Sequence, residues 1–127
     1  MTVLIDSWTW IEYWKGGRLA EAAASYIDGD EESVLSAINL AEVYLAIARS
    51  YGEAMAGEKV ATMEKRCHVV AVDRKIAIEA AKIKRREKLG LADSVILATA
   101  RQVGGRVVTG DPDMKALSDV VFLGGRV

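Results

Sequence analysis

The stretch LADSVILATARQVGGRVVTGD, residues 91–111, sets out a helix, a turn and a strand in one line. Ala92 to Val103 has helical length and apolar content, Gly104 and Gly105 end it, and Arg106 to Thr109 is a short Val-rich run closed by Gly110. Asp93 opens the helix and Asp111 follows the strand. Helices alternating with short apolar runs point to a parallel sheet covered by helices. Working outward, further strands are expected at Thr2 to Asp6, Ser33 to Ala37, His68 to Val72 and Val120 to Leu123. Helices are expected at Ser7 to Lys15, Arg18 to Ile27, Leu40 to Tyr51, Glu53 to Lys65 and Arg74 to Leu89, with a short one from Asp113 to Leu117. Glycines 16, 17, 29, 52 and 90 fall at element ends, and Asn39 and Asp73 are expected as N-caps.

Composition bounds the answer. The 127 residues are 51% hydrophobic with a single Pro, enough apolar surface for one compact domain spanning 1–127. No basic segment precedes the apolar start MTVLIDSWTW, and no run approaches the roughly 18 apolar residues of a spanning helix. A cytoplasmic protein without membrane contact is expected. With Cys67 and His68 the only cysteine and histidine, there is no intramolecular disulfide and no His/Cys zinc set. Oxygen ligands would have to hold any metal. The net charge of −1 hides an uneven distribution: residues 74–90 carry seven Lys/Arg against Glu79 and Glu87, a local +5 that leaves −6 elsewhere.

In an open parallel sheet, ligands gather outside the carboxyl ends of the strands. Asp6 closes the first expected strand, Glu42 lies in the first turn after the second, Asp93 opens a helix, and Asp111 follows the fourth strand. Each has a plain alternative, since acids cap helix N-termini and complement the dipole. Glu42 also stands three residues after Asn39, the spacing of a capping box. Glu42 and Asp93 sit in strongly apolar surroundings, SAINLAEVYLAIA and LGLADSVILATA, where a carboxylate is costly unless paired or metal-bound. Four converging acids would repel one another, and a hard divalent cation, Mg²⁺ or Mn²⁺, would relieve the repulsion. That chemistry suits phosphodiester hydrolysis.

LIDSW, NLAEVYLA, LADSVILATA and VVTGDPDM, in this order and spacing, resemble the PIN-domain family, and a chain of this length most resembles its VapC-type toxins. The resemblance covers residues 2 to 124, and LADSVILATA followed by VVTGD is its specific part. It implies a three-layer PIN-like fold with four to five parallel strands. It also implies an endoribonuclease using Mg²⁺ or Mn²⁺, with Asp6, Glu42, Asp93 and Asp111 as the acidic set and Asp113 as a further metal ligand. Ser7 and Thr109 match supporting positions. One departure is Met114, where an aromatic residue often follows the last acid. Partners implied are a tRNA or rRNA substrate, a VapB-type antitoxin and a second copy of the chain.

Lys82, Arg85 and Arg86, with Lys84 and Lys88, either hold an RNA backbone or form a solvated helix face. Arg49, seven residues after Glu42, is a further phosphate-contact candidate whose alternative is surface solubility. Trp8, Trp10 and Trp14 lie together in the first helix; Trp10 and Trp14 share a face that would meet the core or a partner. Structural roles are expected for His68 and Cys67. Two other readings of the alternation are a PIN-like nuclease serving RNA processing and a non-catalytic signalling module of the receiver type. A receiver has paired acids after its first strand and a Lys after a later one, and here Asp6 stands alone and no Lys follows RVVTG.

Overall fold

The computed structural model describes residues 1–124. The elements run β1 (Val3–Ile5), α1 (Ser7–Lys15), α2 (Ala20–Ile27), β2 (Ser33–Ser36), α3 (Ala37–Tyr51), α4 (Glu53–Arg66), β3 (His68–Val70), α5 (Arg74–Glu87), α6 (Leu91–Gln102), β4 (Arg106–Thr109), a 3₁₀ turn (Pro112–Met114) and β5 (Val120–Phe122). Every expected element is present, with ends displaced by at most three residues. The strands form one parallel sheet ordered β3-β2-β1-β4-β5. A receiver-like sheet has the order 2-1-3-4-5, so this topology excludes that rival.

The sheet is apolar on both faces because helices cover both. Val3 and Ile5 of β1, with Leu35 and Val108, pack under Trp10, Val43, Ile47 and Met63 from α1, α3 and α4. Leu4, Val34 and Val107 face the other way, against Ile76, Ala80 and Ile83 of α5 and Ile96 and Leu97 of α6. Alternate residues of one strand thus feed opposite cores, giving three layers. Met114, at the position of the noted departure, is fully buried in the second core.

The expected N-cap of α3 needs correction. The helix begins at Ala37, and Ser36 caps it: its hydroxyl accepts from the Ile38 N–H at 3.2 Å, while Asn39 Oδ1 accepts from the Ser36 N–H at 2.9 Å. Asn39 is therefore the reciprocal partner in a capping box and not the cap itself. Glu42 is thereby released from any capping role toward Asn39. Asp73 does cap α5, accepting from the Ile76 N–H at 2.9 Å.

Candidate metal centre

The chain leaves β1 for β2 and β3 on one side, then returns to place β4 on the other. That reversal makes the crevice beyond the carboxyl ends of β1 and β4 the place where helices on opposite faces diverge. Asp6 follows β1 and Asp111 lies just beyond β4. From one face α3 brings Glu42, and from the other α6 brings Asp93 in its first turn. One carboxylate oxygen each from Asp93, Asp111 and Asp113 lie within 4.8 Å of one another.

Asp6 is buried, with 3% of its surface exposed. It occupies the N-cap position of α1 but makes no side-chain capping bond. Instead, Thr109 Oγ1 donates to its Oδ2 at 2.7 Å and Asn39 Nδ2 donates to its Oδ1 at 3.3 Å. Thr109 also accepts from the Asp111 N–H at 3.1 Å, so a single hydroxyl ties the first acid to the last. Asn39 further donates to Ser7 Oγ at 2.9 Å, and Ser7 donates to Glu42 Oε1 at 2.8 Å. A continuous chain of hydrogen bonds from β4 to α3 holds Asp6 and Glu42 in place. Asp111 does cap: its Oδ1 accepts from the Asp113 N–H at 3.0 Å.

The electrostatics are one-sided. Burial, followed by the charges of Glu42 and Asp93, pushes Asp6 up from 3.8 to about 7 against the opposing hydrogen bonds. Burial, then Asp111, Glu42 and Asp113, pushes Asp93 up to about 6. Among the described residues, no cationic side chain offsets either acid. An all-oxygen cluster with unrelieved repulsion fits a hard divalent cation.

Asn39 is the residue that the sequence misplaced. Its signal was the Ser36-x-x-Asn39 spacing, hidden because Ala37 and Ile38 extend the β2 run. Gly110 is the second: a Cβ there would overlap the Trp8 ring, which lies against the strand end beside Thr109 and Asp111. Arg49 is exposed in the last turn of α3, two turns beyond Glu42 and outside the cluster. Lys82, Arg85 and Arg86 are exposed on α5. Trp10 is 1% exposed, with its ring 5.3 Å from that of Trp14; His68 is exposed at the start of β3 and Cys67 is buried.

The sequence profile described as PIN domain matches residues 3–120. The chain belongs to the PIN-domain family. This PIN domain is similar in fold to the VapC20 toxin of Mycobacterium tuberculosis, which cleaves the sarcin-ricin loop, with a TM-score of 0.78 at 18% identity over 93% of this chain and 96% of that one. A toxin–antitoxin complex from Klebsiella pneumoniae gives 0.76 at 23% identity, over 94% and 95% of the two chains. VapBC-1 of nontypeable Haemophilus influenzae gives 0.75 at 16%, over 98% and 100%. No curated protein sequence matches the chain. Among the described residues, no helix of this PIN domain is long and apolar enough to cross a membrane.

Proposed function

We propose that this PIN domain, acting as a single unit over 1–127, is a divalent-cation-dependent endoribonuclease and the toxin of a type II toxin–antitoxin pair, working in the cytoplasm. The carrying observation is that Asp93, Asp111 and Asp113 converge within 4.8 Å at a crevice where Glu42 and Asp93 also bear on Asp6, with no offsetting cation among the described residues. The family and the toxins of similar fold support this reading. Asp93, Asp111 and Asp113 would hold Mg²⁺ or Mn²⁺, with Asp6 and Glu42 completing the acidic set. The cation would polarise the phosphodiester and lower the pKa of the attacking water.

The chain's own groups prepare that site. Thr109 and Asn39 fix both oxygens of Asp6, and Ser7 fixes Glu42, so little reorganisation remains when substrate arrives. Asp6, raised to about 7, holds a proton in the cation-free state and releases it near neutrality. The rigid crevice at the β1/β4 ends presents the acids to a phosphate backbone. A VapB-type antitoxin, encoded beside this chain, is expected to silence it, and the active species is a homodimer.

Incubation of total RNA with the full chain in Mn²⁺ tests the reading. Cleavage that stops with EDTA and in Asp6→Asn and Asp93→Asn supports it. Cutting that persists in EDTA, or full activity in both variants, would sink it.

A further inference from the structure

The basic run of α5 closes that helix just before the helix that carries Asp93. Arg85 and Arg86 lie in the last turn of α5, and only Lys88–Gly90 separate that helix from α6, whose first turn carries Asp93. Lys82, Arg85 and Arg86 stand at i, i+3 and i+4 and meet on one helix face. They alone line a concavity of about 350 Å³. All three are exposed, and the core face of α5 is taken by Ile76, Ala80 and Ile83. Among the described residues, neither Lys82 nor Arg85 has a carboxylate within 4.0 Å. Arg86 has only Glu79 at 3.9 Å, with both side chains largely in water, a contact of little energy.

Among the described residues, none of these cations is ion-paired with an acid of the cluster. The side chains lining the concavity are all cationic and none is aromatic. A phosphate backbone needs charge alone. A polyanion approaching five carboxylates is repelled and must be held by cations outside them.

We propose that Lys82, Arg85 and Arg86 form a phosphate-binding subsite that holds the backbone of the substrate RNA beside the carboxylate crevice. This rests on the ribonuclease reading above. Lys75, two turns back along the same face, sits in a separate concavity with Glu79 and with Arg101, whose guanidinium is taken by Asp119 at 2.6 Å. The subsite is therefore confined to the end of α5 nearest Asp93, and Lys75 is a built-in control.

The test uses the full chain in EDTA, a fluorescein-labelled RNA stem-loop and anisotropy titrations from about 50 to 200 mM KCl. The triple variant K82Q/R85Q/R86Q is expected to lose roughly 10-fold in affinity at low salt and to flatten the log K against log salt slope by about 2. K75Q is expected to leave the slope unchanged. With Mn²⁺ present, the triple variant should raise KM and keep kcat. Should the triple variant fold poorly by circular dichroism, R85Q alone is expected to flatten the slope by about 1. An unchanged slope in the folded variant, or an equal loss in K75Q, overturns the subsite. RNA cleavage that needs the acids but not these cations refutes this proposal alone. Salt-dependent binding through the patch without any Mn²⁺-dependent cleavage would leave the subsite standing and refute the nuclease reading instead.

Discussion

Asp6 concentrates the tension of the site in one side chain. In the folded chain it keeps its proton up to about 7, against an ordinary 3.8. Between those values the folded state binds more protons than the unfolded one, so unfolding free energy falls as pH rises from about 4 to about 7 and then levels off. Asp6→Asn removes that slope. In metal-free buffer at pH 8 it should raise stability by roughly 1–3 kcal/mol, given about 1.4 kcal/mol per pKa unit and the hydrogen bonds an amide keeps. The same change should lower RNA cleavage by at least about 100-fold, because several kcal/mol of charge stabilisation depart with the cation. Urea denaturation alongside a cleavage assay checks both halves. Asn39→Leu is expected to do the reverse for stability. It leaves the buried Ser36 N–H without its acceptor and Asp6 with Thr109 in place of two side-chain donors, at a cost of about 1–3 kcal/mol, and activity should fall about 10–100-fold as the acids lose their support.

The elements place these side chains through their ends more than their middles. Asp93 reaches the crevice because α6 starts there after Gly90, while residues 94–100 of α6 are buried throughout. The start of α6 depends in turn on how α5 stops. Lys88 terminates α5 in the left-handed region, φ +57° and ψ +32°, where a side chain pays a steric cost that glycine avoids. Lys88→Gly is accordingly expected to stabilise the chain by about 0.5 kcal/mol after the added freedom of the unfolded state, raising Tm by a few degrees. Calorimetry resolves a shift of that size, and a drop in Tm would show that the turn gains something from the lysine.

At the scale of the whole molecule, the topology gathers the acids at one crevice, while the basic run lies on α5. Cation binding should therefore compete with protons. Asp93 and Asp6 titrate near 6 and 7, so Mn²⁺ is expected to raise Tm far more at pH 8 than at pH 5.5. At 100 times its Kd the ion would contribute about 2.7 kcal/mol. Equal shifts at both pH values, read by thermal scanning, would place the binding ion elsewhere.

The layered fold, and the placement of Asp6, Glu42, Asp93 and Asp111 near strand or helix ends, were legible in the chain because each depends on local signals: apolar period, glycine punctuation, and a carboxylate at an element end. The role of Asn39 was not legible, since its partners Asp6 and Ser7 lie 33 and 32 residues away and the capping pattern is masked by apolar Ala37 and Ile38. Neither was the fate of each acid, which could cap a helix or face a cation. Asp111 turned out to do the first with one oxygen, whereas the Asp6 side chain makes no capping bond. Sequence alone determined which residues bear charge and which segments are helix or strand, because propensity and periodicity act over a few residues. Only the tertiary structure decided that the acids converge on one crevice with Asp6 buried at its base, because Coulomb and desolvation energies depend on distance through space.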